Sequence, residues 1–133
     1  MILFSGVALS ASKSVAPDDA RRLVRAALPQ WALKTGPVYV DPYPVDSDPD
    51  FYFFLAYRSN PGGSGTVGHF AVHRITGDVW DGAVCEEHKT VALAKLQVSI
   101  RRKLGLSDSQ YQKLRRKGPF CDFETDPLPN SSH

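Results

Sequence analysis

The chain contains no apolar run near the roughly 20 residues that a helix needs to cross a bilayer. Cysteine is scarce as well. Cys85 and Cys121 are the only two in 133 residues, and they lack the paired Cys/His spacing of a zinc site. Phosphate-loop chemistry is missing: Asn60-Pro61-Gly62-Gly63-Ser64-Gly65 is glycine-rich, but no Lys-Ser/Thr follows it and the next segment reads as a strand. Calcium-loop chemistry also falls short. Asp46, Asp48 and Asp50 open a D-x-D-x-D pattern, yet Phe51 and Tyr57 stand where an EF-hand needs Gly and Glu. No metal or other cofactor is expected. Cys85 and His88 lie three apart, but no third residue that would orient them for nucleophilic catalysis is identifiable.

What the chain does have is a strongly patterned centre. FYFFLAYR, HFAVHRI and DVWD are three short apolar runs separated by two turn signals, which predicts an antiparallel meander. With a period of two, Phe51, Phe53, Leu55 and Tyr57 share one face of the first run, and Tyr52, Phe54 and Ala56 share the other. Both faces are apolar, so the strand is expected to be central or covered twice. In the second run Phe70 and Val72 face opposite to His69, Ala71, His73 and Ile75. The two histidines fall about 13 Å apart on a strand, too far to share a metal, and are expected as solvated sheet-face residues. Thr76-Gly77 is expected as a tight turn, and Trp80 and Phe53 as core residues.

Around this centre the chain alternates helix and loop. Pro17, Asp18 and Asp19 suit the start of a helix whose Ala20, Leu23, Val24, Ala27 and Leu28 keep helical spacing. Arg21, Arg22 and Arg25 fall outside that stripe, and Trp31 and Leu33 are expected beneath the helix or approaching the sheet. A short edge strand is expected at Val38-Tyr39-Val40. The segment from Asp41 to Asp50, with Pro42, Pro44 and Pro49, reads as a rigid acidic loop. A second helix is expected over about 88–104, with Leu93, Leu96, Ile100 and Leu104 inward and Lys95, Arg101 and Arg102 outward, ended by Gly105. Ser107 and Gln110 form a capping box for a third, to about Arg116, with Tyr111 and Leu114 inward.

The expected fold is α+β: an N-terminal helix packed on an antiparallel sheet of about four strands, with two C-terminal helices. Residues 15–121 form one domain. Residues 122–133 are a polar tail with a glycosylation sequon at Asn130. Residues 1–14 are either the remnant of a secretory signal, lacking its basic start, or an ordinary N-terminal strand. The sequence F-A-V-H-R-I-T-G-D-V-W, carried by Phe70, Val72, Thr76, Gly77, Asp78 and Val79, resembles the small α+β domains of PepSY and cystatin-like type. The resemblance spans about the first two-thirds of the chain. It implies a helix on an antiparallel sheet and a binding or inhibitory role.

Charge is unevenly placed. Lys89 to Lys117 carries nine basic residues against the single acid Asp108, while the remainder holds seven basic and 13 acidic residues. That segregation bears on partners rather than on fold. Cys85 and Cys121 each end a structured segment, and a bridge between them is expected. Closing a loop of about 35 residues would contribute roughly 3–4 kcal/mol and would point to a periplasmic or secreted location.

Three functions follow. The first is a non-catalytic binder that neutralises another protein, a toxin or a hydrolase, through Asp41, Asp46, Asp48 and Asp50 and through Arg101, Arg102, Arg115 and Arg116. The second is binding of nucleic acid or another polyanion by the basic helices. Sparse aromatics among those residues and the acidic remainder argue against it. The third is a small hydrolase built on a histidine and acids.

Overall fold

The computed structural model describes residues 13–34, 36–43, 48–59 and 65–115. Within them lie four strands, β1 (Tyr39–Pro42), β2 (Phe51–Tyr57), β3 (Thr66–His73) and β4 (Val79–Asp81), in one antiparallel sheet of order β1-β2-β3-β4. Four helices accompany them: α1 (Pro17–Ala27), α2 (Gln30–Lys34), α3 (Val91–Leu104) and α4 (Asp108–Leu114). The expected α+β architecture is the observed one.

The alternation read from the sequence sorts the two faces. Phe54, Ala56, Phe70, Val72 and Val79 pack against Leu23 and Val24 of α1 and Leu93 and Ile100 of α3. Leu23, Val24 and Leu93 are wholly buried. At roughly 25 cal/mol per Å2 of apolar surface removed from water, this layer dominates stability. The opposite face carries a smaller cluster of Phe51, Ala71 and Trp80, with Phe53 and Cys85 partly buried against it and no helical residue in it. Trp80 is a core residue as expected, and Phe53 only partly so.

Several local expectations are corrected. α1 stops at Ala27, and Trp31 and Leu33 sit on the short α2, both more than half exposed. Trp31 instead has the Arg58 guanidinium 5.7 Å from its ring centre. α3 begins at Val91, because His88 N–H donates to Val79 O and Thr90 is the N-cap, its hydroxyl accepting from Leu93 N–H. α3 ends at Gly105 in the left-handed region, as expected. The capping box of α4 is present in full, although Leu114 is exposed. β1 runs through Asp41 and Pro42, so the acidic segment is strand at its start. Asp46 and most of the glycine-rich stretch lie outside the described residues.

The Thr76-Gly77 turn is longer than a two-residue hairpin. His73 N–H donates to Asp78 O and Gly77 N–H donates to His73 O, so residues 74–78 form a five-residue connection. Gly77 supplies the left-handed conformation (φ 76°) that closes it. A Cβ there would meet Leu23 Cδ1 at 3.4 Å. Other side chains would carry strain at this φ, although the contact itself is of ordinary van der Waals length.

Candidate functional site

The turn after β3 gathers the helices. Arg101 Nη1 donates to Thr76 O (2.9 Å) and Gln97 Nε2 to Gly77 O (2.9 Å); the two are four apart on α3 and so share a face. Asp78 is only 3% exposed. Its carboxylate accepts from Thr76 Oγ1 (3.0 Å) and from Tyr111 Oη of α4 (2.7 Å). Tyr111 Oη in turn accepts from Arg115, which donates to Glu87 (2.7 Å). The Arg101 guanidinium lies 3.9 Å from the centre of the Tyr111 ring. Burial, and then the hydrogen bond to Asp78, raise the Tyr111 hydroxyl above the ordinary tyrosine value. His73 is buried, not solvated: its Nδ1 accepts from Ile75 and Thr76 N–H, and its ring stands edge-on to Phe51.

The basic C-terminal segment is therefore not a uniform solvated surface. Arg101 turns in toward the sheet rather than away from it. Lys103 donates to Asp19 (2.8 Å) beside Arg22 (2.9 Å). Arg115 is tied to Glu87 and Tyr111. Arg102 is exposed, and Arg116 lies outside the described residues. Three of the cations that would have reached for phosphates are engaged within the fold, which weakens the polyanion reading.

The acids are dispersed too. Asp48 Oδ1 accepts from Asp50 N–H (3.0 Å) ahead of β2, and Asp50 O accepts from Arg74 N–H. Asp41 stands on β1, on the sheet face away from the helices. There the register aligns Asp41, Leu55 and His69 in one row and Tyr39 with Tyr57 in the next. Tyr57 Oη donates to Asp41 Oδ2 (2.6 Å), a bond that raises the Tyr57 hydroxyl above its ordinary value. The Tyr39 and Tyr57 rings are 5.6 Å apart, and Tyr43 meets His69 edge-on at 5.4 Å. Tyr39 and Tyr43 are each about two-fifths exposed (43% and 42%). The sequence pattern alone assigned Tyr39 and Tyr43 no part in a site. The signal available was the alternation itself, which puts Tyr39, Asp41 and Tyr43 on one side of a strand.

The sheet edges offer less. Tyr43 N–H donates to Phe53 O. By alternation Tyr39 and Asp41 also turn toward β2, while Val38, Val40 and Pro42 turn outward. Val38 O is taken by Arg25 (3.0 Å) and Pro42 has no N–H. On the other side, residues 86–88 bond back to β4 through Asp81 N–H to Glu86 O and His88 N–H to Val79 O. Strand addition is poorly served at both edges.

The hydrolase reading finds little support. Burial lowers the His88 pKa from its ordinary value, an effect that the Asp81 and Glu86 carboxylates only partly offset. Its Nε2 is 4.0 Å from Asp81 Oδ2, beyond hydrogen-bond length. Cys85 sits at a positive φ of 62° and no described cysteine is free. Cys121 lies outside the described residues. Those residues include no group of three or more His, Cys, Asp or Glu side chains able to hold a metal, and no helix long and apolar enough to cross a membrane.

No family model matches the chain, and the PepSY and cystatin-like resemblance is not confirmed. No curated protein matches it either. Among solved structures it is similar to a chain in the structure of a type VI secretion system effector-immunity complex from Pseudomonas protegens. The two are 25% identical with a TM-score of 0.59, and the match covers 75% of this chain and 85% of that chain.

The Asp19 cluster yields a test. The Lys103 hydrogen bond holds the Asp19 carboxyl below its ordinary value; burial opposes this and Arg22 adds to it. A depressed folded-state pKa contributes stability above the unfolded value of about 3.9 and loses it as pH falls through the folded value. Asp19→Asn should therefore cost about 1 kcal/mol at neutral pH, the Lys103 side being partly screened by solvent. The gap from wild type should close as pH falls below about 4. Chemical denaturation across that range checks it, and a pH-independent gap would contradict it.

Proposed function

We propose that this chain is a non-catalytic, immunity-type binding protein that neutralises a protein effector. The observation that carries the reading is its likeness, over three-quarters of its length, to a chain of an effector-immunity complex. Two features support it. The two buried carboxylates, Asp78 and Asp19, are each occupied by partners within the fold. The exposed outer face of the sheet carries ordered tyrosines, a residue type over-represented at protein interfaces. The partner-binding residues proposed are Asp41, Asp48 and Asp50, with Arg102 as the exposed member of the basic group.

The reading is tested by competition on a solid surface. Bacteria deprived of this chain should lose viability when mixed with parental cells carrying an intact type VI apparatus. They should regain it with a plasmid copy, and should be unharmed by parents whose apparatus is disabled. Equal survival of the deleted and parental strains would overturn the proposal.

A Cys85–Cys121 bridge and a periplasmic or secreted location belong to the same proposal. Cys85 borders the Trp80 cluster, where a bridge would tie the chain beyond α4 to the sheet. Intact mass after alkylation without reduction should show no alkylated thiol. Two alkylated thiols would remove the bridge, and with it the argument for an oxidising compartment.

A further inference from the structure

We infer that the outer face of β1, β2 and β3 is a receptor for an arginine side chain presented by the effector. This rests on the immunity reading for the identity of the partner, but not for the chemistry of the receptor. The platform consists of Tyr39, Asp41, Tyr43, Leu55, Tyr57 and His69, brought side by side by the β1–β2 and β2–β3 registers. Three observations fit it to a planar cation.

The first is charge. Asp41 is exposed and is the only acid of the six, and neither of its cross-strand neighbours in the row, Leu55 and His69, is a lysine or arginine. Tyr57 Oη occupies Oδ2 at 2.6 Å and fixes the carboxylate. A carboxylate oxygen has two lone pairs, so Oδ1 and the remaining site on Oδ2 can take an incoming N–H pair. The second is the aromatic surround. The Tyr39 and Tyr57 rings, 5.6 Å apart and tilted by 37°, form the row next to Asp41 in the register. A guanidinium can stack on a tyrosine while its edge meets a carboxylate, as the fold already arranges inside, where Arg101 lies 3.9 Å from the Tyr111 ring centre. An ammonium, a strongly hydrated point charge, would use only the carboxylate. The third is the limited room for main-chain pairing at the β1 edge, where Val38 O is taken by Arg25 and Pro42 has no N–H, which favours the face as the route of recognition.

Such a receptor also explains why aromatic side chains can stand exposed on a face already ordered by Tyr57–Asp41 and Tyr43–His69 contacts. Little further side-chain freedom is lost on binding, and preorganisation of that kind favours affinity.

The test uses the full chain with ring-labelled tyrosine. Acetyl-arginine-methylamide is titrated in, followed by the uncharged isostere acetyl-citrulline-methylamide and by acetyl-lysine-methylamide. Arginine should shift the Tyr39 and Tyr57 ring resonances, and citrulline should leave them in place. Lysine should bind more weakly than arginine. Asp41→Asn should weaken arginine binding about tenfold, and Tyr57→Phe should weaken it less, with the melting temperature of each variant recorded to confirm folding. Equal responses to arginine and citrulline, or an arginine response unchanged in both variants, would overturn the receptor. The same two variants then enter the competition on a solid surface. Loss of protection with intact folding supports docking of the effector here. Full protection by both variants overturns this face as the docking site while leaving the immunity reading in place. Failure of wild type to protect, alongside a positive titration, removes the immunity reading and not the receptor.

Discussion

The structure depends on one buried carboxylate and the turn that presents it. Asp78 stands at the foot of β4, nearly excluded from water, and accepts from Thr76 within its own turn and from Tyr111 on α4. The same turn offers two carbonyls to α3, through Gln97 and Arg101, and packs Gly77 against α1 at Leu23. A buried carboxylate without partners would cost several kcal/mol, so the elements that supply those partners are held to it. A five-residue connection thus sets where α1, α3 and α4 meet the sheet. That placement gives the sheet one face for the helices and leaves the other to the tyrosines and the Phe51, Ala71 and Trp80 cluster.

This arrangement changes what the charge pattern means. Along the sequence the C-terminal third is basic and the rest acidic. In the fold, Lys103 of α3 meets Asp19 of α1, and Arg115 after α4 meets Glu87 before α3, so acids and bases from the two parts of the sequence pair with each other. Segregation in sequence has become complementarity in space. Pairs of this kind that are partly exposed add modest stability. Their larger consequence is that Lys103 and Arg115 are no longer free for an external polyanion, which leaves exposed charges such as Asp41 and Arg102 for recognition.

Much of the architecture was legible because it follows from periodicity. Alternation separated Phe54 from Phe51 on one strand and Val72 from Ala71 on the next, and helical spacing picked out Leu23, Val24, Leu93 and Ile100. Capping chemistry located the end of α3 and the start of α4. The errors have a common source: local rules do not see tertiary partners. Trp31 is apolar but falls on a five-residue helix that buries only Ala32. His73 lies on the face that was expected to be solvated, yet its ring is enclosed and accepts from the turn it precedes. Arg101 is basic and outward by helical spacing, but long enough to reach back to Thr76 O. The candidate platform was half visible. Asp41 was singled out as one of a row of acids, whereas its pairing with Tyr57, sixteen residues away, required the β1–β2 register.

The Asp78–Tyr111 bond is the point at which α4 is fastened to the sheet, and a double-mutant cycle on global stability tests this most directly. Tyr111→Phe and Asp78→Ala should each be destabilising, the second more so because it also releases Thr76. Together they should cost less than the sum, with a coupling energy of about 1–3 kcal/mol, as for a hydrogen bond to a charged group. Effects that add within about 0.5 kcal/mol would contradict the claim and leave α4 held by something other than the turn.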